Sequence, residues 1–196
     1  MSVFHRREVV RALLRERGEL LCVAGLGASA WDLASCSSDP LDFPLWGAMG
    51  GAAMVGLGLA IAQPERTVLV LTGDGEMLMG LGSLATIAAQ RPANLRLVVL
   101  DNGLYGETGC QRTHTAIGAD LAEVARGCGF PHARMVKQEA ELEAVRADLH
   151  APVGLRFTVV KVLYEELPRT MPPRDGAYLA QRMREALLGV EKALEG

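Results

Sequence analysis

Two short polar clusters, each closing an uninterrupted apolar run, constrain this chain more than any other feature. Thr72-Gly73-Asp74-Gly75 follows the run Thr67 to Leu71, and Asp101-Asn102-Gly103 follows Leu95 to Leu100. Short apolar runs closed by Gly, Asp or Asn read as strands buried on both faces. The interval between Asp74 and Asn102 holds a crossover helix and a return strand. Such a unit puts both clusters on the same carboxyl edge of a parallel sheet, where ligands of these sheets bind. A carboxylate beside a carboxamide, each flanked by glycine, suits a hard divalent cation gripping a diphosphate.

The rest of the chain alternates in the same way. Val3 to Arg17 predicts an amphipathic helix stopped at Gly18, and Leu20 to Ala24 a strand leading into the small-residue turn Gly25-Leu26-Gly27-Ala28-Ser29. One helical turn is expected over Ala30 to Ser35, after which Pro40 and Pro44 argue against regular structure. A buried helix follows from Gly50 to Ala62. Glu76 to Gln90 has no other charge, which predicts one helix buried nearly all round. Gly103 to Gly118 shows neither period and reads as a functional or mobile loop.

Beyond it come a helix over Ala119 to Cys128, a strand at Arg134 to Val136, a helix over Glu139 to Leu149 and a strand over Val153 to Val160. The chain closes with a proline-rich stretch and a helix capped by Asp175, striped by Leu179, Met183, Leu187, Val190 and Leu194. The expected fold is α/β, a parallel sheet flanked by helices on both faces. Residues 1–165 form the domain, and 166–196 an appendage packed on it or on a partner.

Composition removes several function classes. A net charge of -3 without a Lys/Arg run argues against nucleic acid or an anionic membrane as partner. The uncharged stretch Leu45 to Ala62 is interrupted by glycines and flanked by prolines, which favours a packed helix over a membrane span. Four scattered cysteines suit neither a zinc knuckle nor a disulfide scaffold, and the charged start Phe4-His5-Arg6-Arg7-Glu8 is unlike a signal peptide. A cytoplasmic location is expected.

Gly73-Asp74-Gly75 followed by Asn102 at a strand end resembles the diphosphate motif of thiamine diphosphate enzymes, and Leu45-Trp46-Gly47-Ala48-Met49-Gly50 resembles their aminopyrimidine clamp. Gly80-Leu81-Gly82-Ser83-Leu84-Ala85-Thr86 and Thr108-Gly109-Cys110-Gln111 are similar to segments of the small branch that decarboxylates sulfopyruvate or phosphonopyruvate. Cys110 and Glu76 depart from that pattern, where a glycine and a small residue are usual.

The resemblance implies thiamine diphosphate and Mg2+ as cofactors. Asp74, Asn102 and the Leu104 carbonyl would hold the metal. Gly73, Gly75, Glu76 and Tyr105 would meet the diphosphate from one side, and Gly25, Gly27 and Ser29 from the other. Gly47 and Ala48 would clasp the pyrimidine, with Met49 wedged under the bent cofactor in a catalytic role. Arg112 and His114 are the candidate cations for an anionic 2-oxo acid substrate. The activating Glu of this family lies on a separate pyrimidine-binding domain, so the resemblance implies a partner subunit that supplies it.

Other readings stay open on the residues alone. Asp74 and Asn102 could be ordinary strand-end turns, and Met49 a core residue. The Gly25 to Ser29 turn also matches a weak dinucleotide fingerprint, which the prolines downstream interrupt. An acetolactate synthase-like carboligase, or a cofactor-binding subunit without turnover, would share the same motifs.

Overall fold

The apolar runs pair as a six-stranded, all-parallel sheet in the computed structural model, which describes residues 4–151 and 154–195. In chain order its strands are β1 (Leu21–Ala24), β2 (Asp42–Pro44), β3 (Val68–Gly73), β4 (Leu95–Asp101), β7 (His132–Val136) and β8 (Arg156–Lys161). A small antiparallel hairpin, β5 (Leu104–Tyr105) with β6 (Gln111–Arg112), stands apart from it. The sheet order is β2-β1-β3-β4-β8-β7, so the chain runs outward in one direction from β1 and in the other from β3. The switch point lies between these two strands, and crevices for ligands open there.

Helices cover both faces. On one side α3 (Ala52–Ala62), α5 (Ser83–Gln90) and α6 (Leu121–Cys128) pack Leu57, Leu84, Ile87 and Leu121 against the sheet. On the other, α1 (Arg6–Leu14), α2 (Ala28–Cys36) and α7 (Leu142–Leu149) bury Val9, Leu13, Leu33 and Val145. Each fully buried aliphatic side chain contributes about 1.5–3 kcal/mol relative to an exposed one. The strands, buried on both faces, carry the apolar runs that such a sandwich demands. Arg96 and Asp101 are the exceptions within β4; the buried Arg96 guanidinium donates to the carbonyls of Ala93, Asp148, Ala151 and Gly154.

Several expectations need correction. Within the Pro40–Pro44 stretch Asp42–Pro44 does form a strand: β2 lies at the sheet edge, where a missing N–H is tolerated. The helix after the first turn is nine residues long. The expected helix from Glu76 to Gln90 is two: α4 (Asp74–Met79) ends at Gly80, and α5 starts at Ser83. A Cβ on Gly80 would lie 2.2 Å from the Gly50 carbonyl oxygen, so the chain passes too close there for any other residue. Nor is this pair buried all round, since Met79 is 63% exposed.

The loop from Gly103 to Gly118 contains the hairpin and a 3-10 turn over His114–Ile117. At the carboxyl end, α8 (Gly176–Leu188) is capped by the Asp175 side chain as expected, but Gly189 separates it from α9 (Val190–Leu194). Leu179 and Met183 are buried, whereas Val190 and Leu194 face solvent, so the stripe stops at the break. The first helix begins later than expected, at Arg6; Val3, Val153 and Gly196 lie outside the described residues.

Candidate functional site

The tips of β3 and β4 lie side by side, with Gly73 in register with Leu100. The two polar clusters therefore share one rim, and a cleft of about 550 Å3 opens along it. Gly73, Asp74, Gly75 and Glu76 line it from β3 and α4; Asn102, Leu104 and Tyr105 line it from beyond β4. Ser29, at the start of α2, and Met49 complete the set of sequence-derived candidates in its wall.

Asp74 is 2% exposed, and its Oδ2 accepts hydrogen bonds from Thr113 Oγ1 at 2.5 Å and Thr115 Oγ1 at 3.1 Å. Burial pushes its carboxyl above the ordinary range, the two hydroxyls pull it down, and the neighbouring Asp101 charge adds to the upward push. Asp101 is already engaged: Lys161, Thr115 and the Gly103 N–H all donate to it. Asn102 Oδ1 accepts the Leu104 N–H at 2.8 Å, which leaves one lone pair of the amide oxygen for another partner. A Cβ on Gly75 would sit 2.5 Å from the Tyr105 ring, so the hairpin closes directly over this turn.

Glu76 is buried as well. Its Oε2 accepts from Thr72 Oγ1 at 2.7 Å, while Oε1 has no hydrogen bond of ordinary length and angle. Burial pushes its carboxyl up, partly offset by Thr72 and the backbone N–H groups of Gly50 and Ala52. Gly25 abuts this carboxylate, and Gly27 caps α2 at φ 77, a conformation that favours glycine.

Gly47 and Ala48 are exposed on the adjoining rim with Met49, which is 39% exposed. Ala48 adopts φ 57, where non-glycine residues are uncommon, and its carbonyl accepts the Gly51 N–H at 2.7 Å. Arg112 and His114 are not brought into the cleft wall. Both are exposed, and the Arg112 guanidinium donates to the Ala116 carbonyl.

Sequence reasoning missed the two hydroxyls that hold Asp74 and part of the cleft wall. Thr113 and Thr115, two residues apart, were hidden in a loop of no period. The outer wall is a strap, residues 164–169, zipped to the N-terminal arm: Glu165 pairs with His5, and the Arg6 and Arg7 guanidiniums donate to the Glu165 and Pro168 carbonyls. Arg169 stacks over the Trp31 ring at 4.5 Å. Further along, the Trp46 indole donates to the Pro173 carbonyl at 2.7 Å beneath Arg174, which ties the strap to the segment carrying Gly47. No local signal marks these pairings, since each joins segments far apart in the chain.

Residues 28–161 match the family model described as "Thiamine pyrophosphate enzyme, C-terminal TPP binding domain". The chain belongs to this thiamine pyrophosphate (TPP) enzyme family. It is 40% identical over 126 residues to sulfopyruvate decarboxylase subunit beta of Methanocaldococcus jannaschii, covering 64% of this chain and 66% of that one. It is 47% identical over 108 residues to phosphonopyruvate decarboxylase of Streptomyces viridochromogenes, covering 55% of this chain but 27% of the relative. A solved structure from Mycobacterium smegmatis, described as a thiamin diphosphate-dependent enzyme, superposes with a TM-score of 0.69 at 25% identity, over 83% of this chain and 32% of that one. The chain thus spans less than two thirds of these relatives' length. The cleft of this TPP-enzyme domain lies within the matched region except for Arg6, Leu26, Val162 and the strap. No helix among the described residues is long and apolar enough to cross a membrane.

Proposed function

We propose that this chain is the TPP- and Mg2+-binding subunit of a 2-oxo acid decarboxylase, with sulfopyruvate or phosphonopyruvate the first substrates to test. The observation that carries this reading is the pairing of Asp74 and Asn102 at the adjacent tips of β3 and β4, in the wall of one cleft. A carboxylate, a carboxamide oxygen and the Leu104 carbonyl form an all-oxygen donor set, which Mg2+ prefers when phosphates and water complete its octahedron. Among the described residues no group of three or more His, Cys, Asp or Glu is placed to hold a metal, so a site built on soft or nitrogen ligands has no support.

When bound, the cofactor supplies the electron sink for the carbanion left as CO2 departs. This chain's residues hold and orient. Thr113 and Thr115 fix the Asp74 carboxylate, leaving its Oδ1 for the metal. Gly75 brings the backbone close to the diphosphate, and Tyr105 covers that turn. Ser29, with Gly25 and Gly27, approaches from the opposite side. Gly47 and Ala48 would clasp the pyrimidine, and the Met49 side chain would support the cofactor. Arg112 and His114 stand outside the cleft wall; their assigned role toward an anionic substrate requires the hairpin to move or a partner to close over it.

The activating Glu belongs to a pyrimidine-domain partner, docked on the rim where Gly47, Ala48 and Met49 are exposed. The subunit-beta designation of the Methanocaldococcus relative supports a two-chain enzyme. Cys22, Cys36, Cys110 and Cys128 carry free thiols, which suits the cytoplasm. The test is decarboxylation of sulfopyruvate and phosphonopyruvate by the chain reconstituted with a pyrimidine-domain partner, Mg2+ and TPP. Aldehyde formation that disappears in Asp74→Asn supports the reading. An acyloin product, or activity indifferent to Asp74, contradicts it.

A further inference from the structure

The charged side chains of the cleft wall are mostly acidic, yet the acids proposed to enter it carry two anionic groups each. Asp74, Glu76, Glu107, Glu165 and Glu166 line the cleft, against two cations among the described residues, Arg6 and Arg169. Arg6 is already engaged. It is 5% exposed, its Nε donates to Asp32 Oδ2 at 2.5 Å, and its Nη1 donates to the Glu165 carbonyl.

Arg169 has no such commitment. Its side chain is 63% exposed, and its ion-pair partner among the described residues is Glu107, 4.0 Å away and itself 42% exposed. A pair so long and so open to water contributes little and is easily exchanged. The Trp31 ring, 4.5 Å from Cζ, supports the face of the guanidinium. Stacking uses that face and leaves the in-plane N–H donors free for an oxyanion. Trp31 stands on α2 two residues beyond Ser29, and Arg7 donates to the carbonyl of Pro168, the residue before Arg169. The fork is thus held in the cleft wall before a ligand arrives, which lowers the cost of binding one. The strap that carries it lies outside the stretch 28–161 matched to the family.

We infer that Arg169 is the specificity-determining cation of the cleft: its guanidinium leaves Glu107 and takes the sulfonate or phosphonate group of the 2-oxo acid. This rests on the decarboxylase reading, which supplies the substrate. Both groups present two oxygens to the parallel N–H donors of the fork. The charge that recognises the substrate then sits in the strap, where the cleft already holds it, and Arg112 and His114 are not needed for that role.

The test titrates sulfopropionate, which has both anionic groups of sulfopyruvate and no carbonyl to react, into the complex of this chain with its pyrimidine-domain partner, loaded with Mg2+ and TPP. Wild type, Arg169→Gln, Arg169→Lys, Glu107→Gln and the double variant Arg169→Gln/Glu107→Gln are compared by calorimetry. Arg169→Gln should weaken binding about tenfold or more, and Arg169→Lys, which keeps the charge without the fork, by less. Glu107→Gln should tighten binding, and most of that gain should vanish in the double variant, because the two anions compete for Arg169. TPP affinity should change by less than about threefold in Arg169→Gln. The KM values for sulfopyruvate and phosphonopyruvate should rise in Arg169→Gln more than kcat falls, and they decide the matter if the analogue binds too weakly to titrate. Unchanged KM, unchanged sulfopropionate affinity, or an equal loss of TPP affinity overturns the inference. A wild-type complex that binds TPP but decarboxylates neither acid overturns the functional reading itself, a failure visible without any variant.

Discussion

Thr113 donates its hydroxyl to Asp74 Oδ2 at 2.5 Å, joining residues 39 apart in sequence. Thr113 is 0% exposed, so the bond is made out of water and the hairpin segment is pinned to the strand-end turn. Removing a hydrogen bond to a buried carboxylate costs about 1.5–3 kcal/mol. Thr113→Val, which keeps the side-chain shape, should destabilise the protein by about 2 kcal/mol and weaken Mg2+-dependent cofactor binding, whereas Thr113→Ser should retain most of both. Denaturant melts and Mg2+ titrations of the two variants check this; equal behaviour of valine and serine would contradict it.

Gly75 lets the backbone pass close to the hairpin. Its missing Cβ would sit 2.5 Å from Tyr105 Cε1. Gly75→Ala is expected to push the ring and hairpin away, leaving the sheet folded but weakening cofactor binding at least tenfold. Gly75→Ala combined with Tyr105→Ala should recover part of that loss, and calorimetry on the pair decides it.

Gly25 and Glu76 are coupled by contact. Gly25→Ala alone must drive the Glu76 carboxylate off Thr72, since the new Cβ would stand 1.5 Å from Oε2. In a Glu76→Ala background that space is free. The double variant should therefore be more stable than the sum of the single effects implies, with a coupling of about 1–2 kcal/mol in urea denaturation. Additive effects would show that the two residues do not touch.

His5 holds the strap through Glu165 at 2.7 Å. The Glu165 hydrogen bond and charge raise its pKa above the ordinary 6.5. A group whose pKa is raised on folding stabilises fully below its unfolded value and loses that contribution as pH climbs through the folded one. The strap should accordingly loosen as pH rises from about 6.5 through the raised value. Proton NMR of the His5 ring and proteolysis between Glu165 and Arg174 measure it. His5→Gln should abolish the pH dependence; an unchanged profile would rule the pair out as its origin.

Most of the sheet was legible because it is local chemistry. β1, β3 and β4 are apolar runs, and the Gly, Asp and Asn that end them put the turns on one rim. What escaped notice depends on distant partners. β2 forms despite Pro44 because β1 offers it an edge. α4 ends where Gly80 meets Gly50, a contact between two helices' ends that no periodicity records. The hairpin and Thr113 are set by Asp74 and Tyr105, and the strap by Arg6, Arg7 and Trp46, so neither reads as structure in its own segment. Asp74, Asn102 and Met49, which motif and edge position single out, line the cleft, whereas Arg112 and His114, which charge alone singles out, lie outside its wall.

The most direct test is a calorimetric titration of TPP into the reconstituted complex, with and without Mg2+, for the wild type and Asp74→Asn. The account predicts saturable binding by the wild type that needs the metal and is lost in the variant. Binding that is indifferent to both Mg2+ and Asp74, or no heat from the wild type in the presence of metal, would contradict it.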